Sequence, residues 1–267
     1  MTQLSFLDLP GLVQPQADAR AVVLDVRSQD AYWQGHLPNA RHADAALFAL
    51  PRTDAAAVQQ YEARLRWLLS TLGVDRDTEV LVHGAQFDGG VARAAWALAF
   101  AGIERVSVLT APLAPDAVTL TPHAPAFAAV PFAWAPRREL LATADAIAAG
   151  LDGRAAPLLD ARELDDYRGT RPAAARAGHI PGALHWDNRQ ELDANGALET
   201  PDTLAERFRA LGITSDEPVI VYCGGGPRAS RTWLALRRAG YARASVYQAS
   251  WGEWGARADL PAATPAR

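Results

Sequence analysis

The sequence predicts an α/β protein built twice: two tandem domains, each a small parallel sheet flanked by helices. Three observations carry this. Four sequence blocks return in the same order at a nearly constant offset. Short apolar runs alternate with stretches of helical spacing in both halves. A proline-rich stretch separates the halves. A repeat this long is a duplicated domain rather than a solenoid, and strands alternating with helices imply parallel pairing.

The blocks are specific. Leu24-Asp25-Val26-Arg27 returns as Leu159-Asp160-Ala161-Arg162, and Gly35-His36-Leu37-Pro38-Asn39-Ala40 as Gly178-His179-Ile180-Pro181-Gly182-Ala183. Leu72-Gly73-Val74 followed by Val80-Leu81-Val82 returns as Leu211-Gly212-Ile213 followed by Val219-Ile220-Val221. Ala101-Gly102 with Arg105-Val106-Ser107-Val108 returns as Ala239-Gly240 with Arg243-Ala244-Ser245-Val246.

In the first copy, Ala21–Val26, Val80–Val82 and Val106–Leu109 read as buried strands, and Ala55–Leu72 and Val91–Ala101 as helices. In the second, Pro157–Asp160, Pro218–Tyr222 and Ala244–Tyr247 read as strands, and Thr203–Leu211 and Ala229–Ala239 as helices. Residues 111–136 hold six of the chain's 18 prolines and read as a semi-rigid linker. Arg137 to Leu151 has helical spacing. The expected division is a domain at 1–110, a linker at 111–136 and a domain at 137–267. Ligands of such sheets sit at the carboxyl ends of the strands.

Composition narrows the chemistry. The 267 residues carry a formal charge of −4, one cysteine and no lysine, so all 26 basic residues are arginine. A P-loop lysine or a Schiff-base lysine is excluded. One cysteine excludes an intrachain disulfide and any multi-thiolate zinc or iron–sulfur site. The six histidines show no metal-ligand spacing, so no metal is expected. An acidic balance argues against nucleic-acid and anionic-membrane partners. No apolar run reaches the ~20 residues of a membrane span. The start of the chain lacks the basic and apolar regions of a secretory signal, and a cytoplasmic monomer is expected.

Cys223 sits where chemistry would sit. It ends the apolar run Val219–Tyr222 and opens Cys223-Gly224-Gly225-Gly226-Pro227-Arg228, with a helix expected from Ala229. Three glycines let the backbone curl so that successive N–H groups point inward as an anion nest. The helix N-terminus adds partial positive charge, and Arg228 adds a full one. These effects stabilise a sulfur anion, as a reactive cysteine requires. The bland alternative is a buried, inert thiol. At the matching place the first copy reads His83-Gly84-Ala85-Gln86-Phe87-Asp88. Gly84 stands for Cys223 and Asp88 would repel an anion, so the first copy reads as non-catalytic.

The second copy also carries eight extra residues between Tyr167 and Gly178. Arg168, Arg171 and Arg176 lie there, either as cations for an anionic substrate or as a solvated surface. His36 and His179 in the turns read as makers of local hydrogen bonds. Asp160 and Arg162 read as organisers of the sheet edge near the site. Trp251 and Trp254 fit packing.

Leu158–Arg162 (LLDAR), Ala177–Ala183 (AGHIPGA), the Cys223–Arg228 loop and Ser250–Pro261 (SWGEWGARADLP), with LDVR and GHLPNA in the first half, resemble two-domain rhodanese-type sulfurtransferases. That group includes thiosulfate and 3-mercaptopyruvate sulfurtransferases. The resemblance implies a rhodanese fold for each domain and no cofactor. It implies a Cys223 persulfide cradled by Gly224, Gly225, Gly226, Pro227, Arg228 and Ala229. The partners it implies are a small anionic sulfur donor and a thiol or cyanide acceptor. It also suggests His36 as a proton relay. The sequence departs from the pattern in places: Gly225 replaces a serine of mercaptopyruvate-type loops, and the family's substrate arginine falls on Asp166. Arg168 and Arg176 are the nearest replacements. A rhodanese-fold cysteine phosphatase is an alternative, although four residues between Cys223 and Arg228 is one fewer than such loops use. A sulfur carrier or regulatory module without turnover is another.

Overall fold

The apolar runs form parallel strands whose intervening chain returns as helix. The computed structural model describes residues 2–8, 21–114, 118–151, 153, 156–171 and 175–264. The strands are β1 (Gln3–Leu7), β2 (Ala21–Asp25), β3 (Ala40–His42), β4 (Glu79–His83), β5 (Arg105–Leu109), β6 (Leu158–Asp160), β7 (Leu184–His185), β8 (Val219–Tyr222) and β9 (Ala244–Val246). The helices are α1 (Gln29–Gln34), α2 (Ala55–Thr71), α3 (Gly89–Ala101), α4 (Ala144–Gly150), α5 (Leu164–Arg168), α6 (Pro201–Ala210), α7 (Pro227–Arg238) and α8 (Ser250–Trp254). One sheet runs β1-β5-β4-β2-β3 and the other β7-β6-β8-β9. All their pairings are parallel. Among the described residues no helix is long and apolar enough to cross a membrane.

The chain forms two compact units. The first comprises Met1–Ala49, Gln60–Arg137 and Asp193–Leu198, the second Leu50–Gln59, Arg138–Leu192 and Glu199–Arg267. Each thus includes a short segment from the other half of the sequence. In the first unit α3 is buried almost all round, with Trp96 stacked on Phe100 at 5.2 Å, as its apolar composition demands. The proline-rich stretch is fastened to this unit: Val130 N–H donates to Ser70 O (3.0 Å) and Thr121 exchanges two backbone hydrogen bonds with His36. In the second unit Tyr222, Tyr247, Trp251 and Trp254 are buried together. There Glu253 accepts from Thr53 N–H (2.7 Å), Thr53 Oγ1 (2.6 Å) and Tyr247 OH (2.8 Å). Thr53 Oγ1 in turn accepts from Ala144 N–H (2.9 Å).

The duplication extends to side-chain detail. Tyr32 OH donates to Ala40 O and stacks on His36 at 3.9 Å. Tyr167 OH donates to Ala183 O and stacks on His179 at 3.9 Å. Asp25 with Arg27 and Asp160 with Arg162 form the same short ion pair at 2.6 Å, and each guanidinium also reaches the carbonyl of the turn glycine, Gly35 or Gly178. Arg137 to Leu151 is not one continuous helix. A 3-10 turn (Arg138–Leu140) precedes α4, because Thr143 caps α4 at Ala146 N–H.

Candidate active site

β8 pairs in register with β6, Tyr222 against Asp160, and delivers Cys223 to the carboxyl end of the sheet. Cys223 is 1% exposed. Its N–H donates to Ser250 Oγ (2.9 Å), and its Sγ accepts from Gly226 N–H (3.1 Å). Ser250 Oγ lies 3.9 Å from Sγ. Trp251 N–H donates to Cys223 O (2.9 Å) and Gly252 N–H to Gly224 O (2.8 Å), so α8 staples the loop. Gly226 has φ 102° and ψ −35°, a conformation side chains resist, and it turns its N–H back onto the sulfur. α7 then opens on Pro227, which has no N–H, and has no side-chain cap. The positive end of α7 therefore faces the loop without a carboxylate of its own.

Support for the loop comes from residues that sequence reasoning missed. Ser230 Oγ donates to Gly226 O (3.0 Å) and Gln248 Nε2 to Ser230 Oγ (2.8 Å); Ser230 and Gln248 are fully buried. Ser250, at φ 56°, donates to Tyr247 O (2.8 Å) while accepting from Cys223. The bonds from Gln248 to Ser230 and from Cys223 to Ser250 join residues 18 and 27 positions apart, so no local pattern reports them. The one signal in the sequence is the block Ser250–Pro261, in which the tryptophans mark packing and the serine carries no mark of its own.

The cations divide into structural and accessible ones. Arg162, 2% exposed, donates from Nε to both carboxylate oxygens of Asp160, and its guanidinium carbon lies 4.6 Å from the centroid of the Trp251 ring. Burial works against this cation, but its hydrogen bonds and charge pairing with Asp160 outweigh that and hold its pKa above the ordinary arginine value. Burial, then the charge of Asp160, pushes the pKa of Tyr222 well up, and its OH accepts from Ile180 N–H (3.1 Å). Arg176, expected as a substrate candidate, is instead engaged by four carbonyls, those of Gly255, Leu260, Trp254 and Arg257. Its guanidinium closes the end of α8 with four of its five N–H donors, which leaves one for a substrate. Arg171 Nε donates to Asp166 (2.9 Å). Arg168 is exposed at the end of α5. Residues 172–174 of the inserted segment lie outside the described residues. Arg228 is a third exposed and is loosely paired with Glu163 (3.5 Å) and Asp166 (3.9 Å) on α5. Its Nη2 lies 3.6 Å from where a Cβ on Gly224 would be. Ala229 is buried in the first turn of α7, and Gly225 has open space at its Cβ position.

The equivalent loop of the first unit is closed. His83 pairs with Asp25 as Tyr222 pairs with Asp160, which puts Gly84 in the place of Cys223. A Cβ on Gly84 would come within 2.7 Å of Val91 Cγ2. Asp88 caps α3, accepting from Gly90 N–H (2.8 Å) and Val91 N–H (3.0 Å), and Phe87 is buried. Burial pushes the His83 pKa down against the pull of Asp25, so the ring is neutral at physiological pH. His36 is fully buried, with Nδ1 at 2.9 Å from Tyr32 O and Nε2 at 3.3 Å from His123 O.

A model of the rhodanese-like domain matches twice, over residues 10–111 and 143–257. The thiosulfate sulfurtransferase of Azotobacter vinelandii is 32% identical over 267 residues, covering 96% of this chain and 98% of that one. The 3-mercaptopyruvate sulfurtransferase of Escherichia coli K12 is 34% identical over 252 residues, covering 86% and 84%. Among solved structures, the anaerobic ergothioneine biosynthesis enzyme of Chlorobium limicola shares the fold at a TM-score of 0.82 and 22% identity, over 97% of this chain and 69% of that one. Two matched regions, one on each parallel sheet, and relatives aligned over most of the chain place this protein in the family of rhodanese-like domain proteins.

Proposed function

We propose that this chain is a sulfurtransferase that works as a monomer in the cytoplasm. It takes a sulfane sulfur from thiosulfate or 3-mercaptopyruvate and passes it to a thiophilic acceptor through a persulfide on Cys223. The observation that carries this is the N–H of Gly226 aimed at Sγ at 3.1 Å, on the chain's one cysteine, at the uncapped start of α7. The thiolate attacks the outer sulfur of thiosulfate; the S–S bond breaks and sulfite leaves with the electron pair. With 3-mercaptopyruvate the C–S bond breaks instead, and the carbon fragment takes the pair and then a proton. The acceptor, cyanide or a thiolate, next attacks the outer sulfur of the persulfide and returns Cys223 to its anion. The loop N–H and the dipole of α7 stabilise sulfur charge at each step. Asp160 and Arg162 act by fixing the sheet edge under the loop. The first unit carries no chemistry in this scheme, because its loop lacks the thiol and Asp88 occupies its helix end. Relatives named for both donors support the reading.

Incubating the protein with either donor and measuring its intact mass tests this. An increase by one sulfur atom, absent from Cys223→Ser, is expected. No adduct from either donor would remove the proposal.

A further inference from the structure

Arg228 brings the one cation in the Cys223–Arg228 loop, yet it does not stand alone. Its Nη1 is 3.5 Å from Glu163 Oε1 and its Nη2 3.9 Å from Asp166 Oδ2. Both are longer than a charge-assisted hydrogen bond, whereas Arg162 meets Asp160 at 2.6 Å and Arg171 meets Asp166 at 2.9 Å. The guanidinium is shared between two carboxylates and grips neither. Asp166 is 4% exposed and fixed by Arg171, so its charge stays in place. Glu163 is the N-cap residue of α5 but makes no capping hydrogen bond, and its side chain is 44% exposed.

We propose that Glu163 and Asp166 are specificity-determining residues of this site: by lying against Arg228 at the lip of the Cys223 loop, they disfavour a dianionic sulfur donor relative to a monoanionic one. The inference rests on the sulfurtransferase reading. A donor anion improves on the loose geometry at Arg228 only by approaching two negative charges, and a second charge on the donor doubles that repulsion. Specificity built from a repulsive element needs no contact with the favoured substrate. Thiosulfate carries two negative charges and 3-mercaptopyruvate carries one on its carboxylate, so the rule falls on thiosulfate.

The test is steady-state kinetics of Glu163→Gln and, separately, Asp166→Asn with both donors. Among the described residues the Glu163 side chain makes no capping hydrogen bond and meets Arg228 only at 3.5 Å, so its variant is expected to keep the fold even if loss of the Arg171 partner weakens the other. For Glu163→Gln, KM for thiosulfate is expected to fall about fivefold, the upper range for one half-exposed charge. KM for 3-mercaptopyruvate is expected to fall by less than half as much, kcat is expected to hold for both, and the difference shrinks with added salt. An unchanged ratio of the two KM values, in a chain whose Cys223 still gains sulfur, would overturn this inference alone. A wild-type chain that gains sulfur from neither donor would overturn the sulfurtransferase reading and this inference with it.

Discussion

Gly226→Ala isolates what the loop does for the sulfur. Gly226 has φ 102° and ψ −35°. A Cβ in such backbone costs on the order of 1–3 kcal/mol. The chain can escape the strain only by rotating the peptide that carries the N–H lying 3.1 Å from Sγ. A hydrogen bond to a charged group is worth about 1.5–3 kcal/mol. If that bond is present when sulfur charge develops, its loss slows persulfide formation by roughly 10- to 100-fold, at 1.36 kcal/mol per factor of ten. The control is Gly225→Ala, where a Cβ meets nothing within 4 Å and φ is not positive. The assay is quenched mass spectrometry of persulfide formation under saturating donor, with thermal melts to show that both variants are folded. Gly225→Ala is expected to load at close to the wild-type rate. If Gly226→Ala, folded, loads within about twofold of wild type, the N–H of Gly226 does not stabilise the reacting sulfur and the cradle argument fails.

Two further outcomes follow from the packing. Thr53→Val removes a hydroxyl that donates to buried Glu253 and accepts from Ala144 N–H. One charge-assisted bond lost and one buried N–H orphaned amount to about 3–5 kcal/mol, read as a shift of the denaturant midpoint; a loss under about 1 kcal/mol would show the contact to be replaceable by solvent. Gly84→Cys combined with Cys223→Ser is expected to gain no sulfur, since Val91 Cγ2 stands 2.7 Å from the new Cβ and Asp88 already holds the helix N–H groups. A sulfur adduct on that new thiol would show that the first loop is open.

The strands legible in the sequence are those buried on both faces. β2, β4, β5, β6, β8 and β9 read as apolar runs because helices cover both sides of a parallel sheet. β1 was invisible: it lies at a sheet edge with an exposed-to-half-buried pattern, and its pairing partner β5 is about a hundred residues away. β7 has two residues, too few for any periodicity. Cys223 could be singled out because glycine, proline and arginine at fixed places after a strand have local conformational meaning. Arg176 and Ser250 could not be assigned that way. The same arginine can meet a substrate or close a helix, and only the position of α8, set by tertiary packing, decides. Thr53 is harder still, for a threonine after a proline and an arginine carries no sign that it belongs with Glu253, 200 positions later.

The two loops also differ in how each stabilises its helix. α3 is capped by Asp88, which satisfies Gly90 and Val91 N–H, whereas α7 begins at Gly226 with no side-chain cap. With glycine at the N-cap, forgoing a side-chain cap costs α7 only about a few tenths of a kcal/mol. A carboxylate at the start of α7 would recover that, but it would put a negative charge where a persulfide and an anionic donor must sit. The first copy shows the other choice carried through, with the cap in place, Phe87 buried and no room at Gly84 for a side chain. Restoring chemistry there would therefore take more than a cysteine, because the helix end would first have to give up its own carboxylate.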